Sequence, residues 1–358
     1  MNLDGYALPI KKLKGTEPVE SLDLSGKKLR VASAIVIASL ISVNGSLTKL
    51  SLAQNELEEE GTKAICEALE QNKTLKELDI SGGGYRGNIG GLAGAKHVAK
   101  MLGVNGSLTV TNLLGNWLDA ESAKMLAEVA KRKGISLCGI QRDQTTADFS
   151  NQNLEPRDAI LLALDLSQAG VTGSLTVTNL LGNRLDAESA KMLAEGAKQK
   201  GISLCGIRRD QTTADFSNQK LKPPDAILLA SDLLQAGVTG SLTKLSLAKN
   251  ELGEEGTKAI CEALEQSTTL KELDISGGWR ASNIGGPAGV KHVAKMLGVN
   301  GSLTSIDLSS NQLCGLNWDG KGKYTTVGIT AIADALRVNG ALTKMRYVSP
   351  RANLGPHI

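Results

Sequence analysis

Apolar residues follow two spacings in turn along most of the chain. In L-T-K-L-S-L-A-Q-N-E-L, residues 47–57, Leu50 and Leu52 alternate with Lys49 and Ser51. A period of two predicts a short strand with one face buried. The segment that follows, E-E-G-T-K-A-I-C-E-A-L-E-Q, places Ile65, Ala68 and Leu69 at helical spacing. The same alternation of strand and helix returns down the chain. Aligned on the second apolar residue of each strand, the column reads Leu24, Leu52, Ile80, Leu113, Ile140, Leu180, Ile207, Leu247, Ile275, Leu308 and Tyr347. Its gaps are 28, 28, 33, 27, 40, 27, 40, 28, 33 and 39 residues. Asn55, Asn116, Asn183, Asn250 and Asn311 stand three residues later, where a buried amide can satisfy backbone groups as the chain leaves the strand. Asp143 and Asp210 fall in that slot in the long units, and Gly83 and Gly278 leave it empty.

Larger copies overlie this unit. Residues 45–109 recur at 240–304 with 55 of 65 positions identical, and residues 106–172 recur at 173–239 with 58 of 67 identical. A chain built this way stacks one supersecondary unit, so function belongs on a repeated surface rather than in one cleft. The expected organisation is a lead-in over 1–18, a solenoid over 19–347 and a tail over 348–358. The unit L-x-x-L-x-L-x-x-N-x-L followed by a full helix resembles the ribonuclease-inhibitor-like class of leucine-rich repeats. That class is also found in Ran GTPase-activating proteins and in the sensor regions of NOD-like receptors. The resemblance implies an α/β solenoid of about eleven repeats, a horseshoe with a parallel sheet on the concave face and helices on the convex face. It implies little about the partner. Thr111 and Thr178 depart from the pattern where leucine is expected, and Y-V-S-P-R-A-N-L-G-P-H-I is not a polar cap.

Composition narrows the function. Forty Lys and Arg against 37 Asp and Glu give +3, too near balance to point to nucleic acid or an acidic membrane. Without an apolar leader or a long apolar stretch, the chain reads as soluble and cytoplasmic. The five cysteines read as reduced thiols. The N-x-S/T sites at Asn44, Asn72, Asn105 and Asn300 read as turn chemistry, three of them being N-G-S steps that close helices in a left-handed C′ conformation. G-G-G-Y-R-G at 82–87 fits a dinucleotide fingerprint, but its copy, G-G-W-R-A-S from Gly277, loses the pattern. G-G-L-A-G-A-K-H at 90–97 reads as a glycine-rich helix start. His97, His292 and His357 lack metal partners at ligand spacing, and no nucleophile–base pair stands out. The expectation is no metal, no cofactor and no catalysis.

Aromatic residues and one exposed column carry the binding hypothesis. Tyr85, Trp117, Trp279, Trp318 and Tyr324 fall in polar loops between strand and helix, while Phe149 and Phe216 read as inward anchors. Trp, Tyr and Arg dominate interface energetics. On the sheet, Val110, Leu137, Val177 and Leu204 form an expected apolar stripe, extended by Leu114 and Leu181 and flanked by Glu77 with Asp79 and Glu272 with Asp274. The expected partner is a protein, not nucleic acid or membrane, anchored by Trp117 and Trp279. The competing expectation is that the insertions of the 40-residue units fold back over the stripe. Alternative functions are regulation of a small GTPase through Arg86, Arg142, Arg209 or Arg280, and a sensor region like that of a NOD-like receptor.

Overall fold

A computed structural model describes residues 2–83, 87–278, 282–316 and 321–347. The chain forms two compact units, residues 1–145 with 153–175 and residues 146–152 with 176–358. In chain order the first unit contains β1 (Asn2–Leu3), β2 (Tyr6–Ala7), α1 (Ile10–Lys14), β3 (Ser21–Asp23), α2 (Val31–Ile41), β4 (Lys49–Ser51), α3 (Glu58–Glu70), β5 (Glu77–Asp79), α4 (Gly91–Val104), β6 (Val110–Asn112), α5 (Ala120–Lys133) and α6 (Pro156–Ser167). The second contains β7 (Thr146–Asp148), β8 (Val177–Asn179), α7 (Ala187–Lys198), β9 (Thr213–Asp215), α8 (Pro223–Leu233), α9 (Ala236–Thr239), β10 (Lys244–Ser246) and α10 (Gly253–Leu264). It continues with β11 (Glu272–Asp274), α11 (Gly286–Val299), β12 (Ser305–Asp307), α12 (Val327–Val338) and β13 (Lys344–Arg346).

The strands pair in parallel, as a solenoid of leucine-rich repeats requires. In the first unit the register runs Leu22, Leu50, Leu78, Thr111. In the second, Ala147 pairs with Thr178, and a separate ladder runs Ala214, Leu245, Leu273, Ile306, Met345. This register corrects the sequence column at two places. The strands of the long units are Thr146–Asp148 and Thr213–Asp215, so Phe149 and Phe216, not Ile140 and Ile207, follow Leu113 and Leu180 in the column. Residues 136–138 and 203–205 make only isolated bridges to β6 and β8. They resemble strands in sequence because apolar residues crowd there.

Buried amides take over backbone hydrogen bonding at both edges of the sheet. At the exit, Asn55 donates to the carbonyls of Leu24 and Leu52 and accepts from the amides of Lys27 and Leu29. The slot beside Gly83 is not empty. Asn88 fills it from five residues downstream, donating to the Leu52 and Ile80 carbonyls, and Asn283 repeats the arrangement. Asp143 and Asp210 are exposed loop residues rather than members of this ladder. A second ladder runs where helices end. Asn44, Asn72, Asn105 and Asn300 are buried, and each reaches back to a carbonyl of the preceding repeat. The left-handed C′ expectation fails at Asn105 and Asn300, which are extended at φ −63° and −72°. Burial rather than turn geometry accounts for these four asparagines.

The glycine-rich helix starts have a packing cause. Gly90 and Gly285 lie at φ +81° and +82°, and a Cβ there would stand 2.3 and 2.5 Å from the backbone nitrogens of Glu59 and Glu254. At the start of the chain, Asp4 accepts from the Arg30 amide at 2.9 Å and from the Ser33 hydroxyl. These bonds cap α2 from outside and hold the Asp4 carboxyl below its usual range.

Candidate binding surface

From β4 to β12 each strand buries its middle side chain and, Val110 apart, leaves the two flanking ones at least partly open to solvent. In the first unit these build a charged face. Lys49 Nζ lies 2.7 Å from Glu77, and Asp79 accepts from the Ser81 amide at 3.0 Å. The face holds a shallow depression of about 240 Å³ lined by Asp23, Lys49, Glu77, Asp79, Asn112 and Gly139. In the second unit Lys244 pairs with Glu272 at 3.1 Å and Arg346 with Asp307 at 3.6 Å, around a depression of about 260 Å³ that Asp274 also lines.

The apolar stripe does not exist as a surface. Leu137 and Leu204 are 0% exposed, and Val110, Leu114 and Leu181 are buried as well; Val177 is half-buried. Two interactions explain this. The segment Ser136–Cys138 is drawn inward by Asp165 of α6, whose carboxylate accepts from the Ser136 hydroxyl at 2.7 Å, the Leu137 amide at 3.0 Å and the Cys138 amide at 2.9 Å. Beyond it, Gln141 donates to Glu77 at 3.1 Å. Glu77 is the register partner of Val110, so this bond carries the loop over Val110. In the first unit the stripe is thus drawn inward at Leu137 and crossed by the loop at Val110.

The second long unit repeats the inward pull. Asp232 of α8 accepts from the Ser203 hydroxyl and from the amides of Leu204 and Cys205 at 2.8, 2.8 and 3.0 Å. Burial without a paired cation pushes Asp165 up to about 6 and Asp232 up to about 7, against the lowering effect of these donors. The neighbouring Cys138 and Cys205 thiols are raised well above their ordinary value by the same burial. One turn-pair earlier on each helix, Asp158 and Asp225 accept from the amides of Gly115 and Gly182, both at 2.8 Å. Sequence reasoning missed these four aspartates. The signal was present: D-A-I-L-L-A-L-D and D-A-I-L-L-A-S-D put two carboxylates seven residues apart, on the face of the helix that also carries Leu162 or Leu229.

Among the anchor residues, Trp117 is 44% exposed at φ +56°, and the Arg157 guanidinium stacks over its ring at 5.4 Å while pairing with Glu155. Trp279 lies outside the described residues, as do Tyr85, Arg86, Arg280 and Trp318. Phe149 is buried and Phe216 half-buried, and Tyr324 is 63% exposed. His97 and His292 are half-covered, 3.9 and 3.7 Å from Glu59 and Glu254. Among the described residues no helix is long and apolar enough to cross a membrane.

Comparison of the sequence with those of known proteins agrees with this architecture. A leucine-rich-repeat family profile matches residues 43–66 and 241–261. Over 249 residues the chain is 28% identical to NACHT, LRR and PYD domains-containing protein 5 of Bos taurus, covering 69% of this chain and 20% of that protein. Over 299 residues it is 25% identical to the ribonuclease inhibitor of Mus musculus, covering 83% and 59%. RAN GTPase-activating protein 2 of Arabidopsis thaliana is 28% identical over 131 residues, 36% of this chain and 23% of that one. The chain thus spans only part of each of these relatives. Among solved structures, a chain of the yeast Rad7–Elc1 complex aligns over 94% of this chain and 74% of its own at 15% identity, with a TM-score of 0.33.

Proposed function

Starting from a chain that is a leucine-rich-repeat protein of the ribonuclease-inhibitor-like class, we propose that it is a non-catalytic protein-binding module or scaffold. In this reading a partner protein meets the charged sheet face and the adjoining strand-exit edge. The observation that carries it is Trp117, a large aromatic left 44% exposed and stiffened by Arg157, beside a face bearing Glu77 and Asp79. Rigid, half-exposed aromatics are the side chains on which interface energy concentrates. Glu272 and Asp274 give the second unit a matching acidic pair. Affinity capture from source-cell lysate tests the reading, comparing the wild type with Trp117→Arg and with Glu77→Lys. Loss of a specific partner from both variants supports it; a partner retained by both sinks it.

A small-GTPase regulator is the second reading, favoured by the match to RAN GTPase-activating protein 2 and by the exposed Arg142 and Arg209. An arginine supplied in trans can stabilise charge in phosphoryl transfer. Measuring GTP hydrolysis by a panel of small GTPases, with and without the protein, decides it.

A further inference from the structure

The strand β13 ends its ladder, and no described strand pairs with its far edge. Its middle residue, Met345, is 38% exposed, whereas the middle residues of β9 to β12 are all buried. Leu342 is half-buried where its counterparts Leu270 and Leu303 are buried. Lys344 donates its amide to the Thr304 carbonyl at 3.0 Å, and the Arg346 carbonyl accepts from the Leu308 amide at 2.9 Å. Both flanking residues therefore spend backbone groups on β12. Successive residues of a parallel strand bond to opposite neighbours, so the N–H and C=O of Met345 face the open side. An edge of this kind is a template for a further strand.

The chain itself shows what such a strand should carry. β4 and β10 begin with Lys49 and Lys244, and the strand after each reads Glu-Leu-Asp. Across these pairs Lys49 lies 2.7 Å from Glu77 and Lys244 lies 3.1 Å from Glu272. β13 reads Lys344-Met345-Arg346, with an exposed cation on each side of the methionine. On the inner side Lys344 faces Ser305, and Arg346 reaches Asp307 at 3.6 Å. The other carboxylates near this end are already engaged. Glu272 and Asp274 lie two strands in, on Lys244 and on the Ser276 amide, and Asp334 of α12 pairs with Arg337 at 3.2 Å. Among the described residues no carboxylate is within ion-pair distance of Lys344.

We propose that the free edge of β13 takes up an extended acidic segment of a partner protein as an added parallel strand. An apolar residue of that segment covers Met345, and acidic residues on either side of it meet Lys344 and Arg346. The inference goes beyond the surface around Trp117 and does not rest on it. Two other occupants fit the charges less well. Residues 348–358 of this chain hold Arg351 and no acid. The β13 edge of a second copy would set cation against cation.

The test uses the full chain and a dye-labelled peptide with the sequence of residues 268–276, T-T-L-K-E-L-D-I-S, followed by fluorescence anisotropy. Its control is the same peptide with Glu272→Lys and Asp274→Lys. The protein variants are Lys344→Glu with Arg346→Glu, Lys344→Glu alone in case the double change beside Asp307 unfolds the end, and Met345→Pro. Circular dichroism checks folding. The expected result is salt-sensitive binding of the acidic peptide that falls about tenfold or more on charge reversal, with the lysine peptide then preferred. Met345→Pro, which removes the edge donor and leaves the charges, should weaken binding of the acidic peptide as well. Equal binding by wild type and charge-reversed protein overturns the proposal, as does equal binding of both peptides by the wild type. Binding seen only after residues 348–358 are removed makes the chain's own tail the occupant. Self-association in sedimentation that Met345→Pro abolishes makes it a second copy. Either outcome sinks the proposal. Trp117→Arg should leave peptide binding unchanged, so failure of the lysate capture with the peptide still bound removes the broader reading and leaves this edge standing.

Discussion

Residues 106–172 and 173–239 are two copies of one sequence, and their divergence separates what folding requires from what the surface is free to change. They differ at nine positions, and no residue at any of those positions is buried in either copy. The buried aspartate arrangements are duplicated without change. Asp158 and Asp225 make the same bonds, as do Asp165 and Asp232, with Ser136 and Ser203 donating to them at 2.7 and 2.8 Å. Four surface changes add positive charge, while two remove it, Arg132 to Gln199 and Arg157 to Pro224. Trp117, Gln141, Asn153 and Glu155 give way to Arg184, Arg208, Lys220 and Lys222. Gln141 is tied to Glu77, whereas Arg208 is exposed, and Val177 is more open than Val110. The core is fixed by packing and by donors with nowhere else to bond, while an exposed substitution costs roughly 0.5 kcal/mol or less.

If the buried devices are equivalent, Asp165→Ala and Asp232→Ala should each destabilise by about 3–5 kcal/mol in chemical denaturation. Each strands two backbone amides and a hydroxyl at about 1–3 kcal/mol apiece. A large cost in one copy and a small one in the other would break the comparison. Leu137→Ala and Leu204→Ala should likewise cost about 2–5 kcal/mol each, the range for a leucine cavity. A change below 1 kcal/mol, on the order expected of an exposed site, would return these leucines to the surface.

Titration sharpens the comparison. Both folded carboxyls are raised, to about 6 for Asp165 and about 7 for Asp232, above the ordinary carboxyl value. Their contribution is therefore fully present in acid and is lost as pH rises through those values. Thermal melts from pH 8 to 5 should show rising stability, with Asp232→Asn flattening the upper part of that window and Asp165→Asn the lower. Below it the trend reverses, because Asp4, Asp23, Asp119, Asp186 and Asp215 are lowered by hydrogen bonds and lose their contribution on protonation. A profile that falls steadily from pH 8 to 5 contradicts the assignment.

The smallest effects belong to the surface. Arg157→Ala should cost about 0.5–1 kcal/mol through the lost stack on Trp117, and Lys49→Ala should stay within about 0.5 kcal/mol. Equal costs at Lys49 and its buried neighbour Leu50 would mean that the strand alternation is misassigned.

The sequence by itself determined the repeat, the class of fold and most of the strand register. These follow from local periodicity, and Leu50, Leu78, Leu245 and Leu273 each announce a strand through their own neighbours. It also located the exposed Trp117. It misplaced the long units because I-S-L-C-G-I has the composition of a strand. Only the tertiary structure brings Asp165 of a later helix onto those amides, and only contact with Glu77, 64 residues earlier, carries the Gln141 loop over Val110. Whether an apolar side chain faces solvent or the core depends on what lies across from it. That neighbour comes from another repeat, at a distance along the chain that periodicity does not encode.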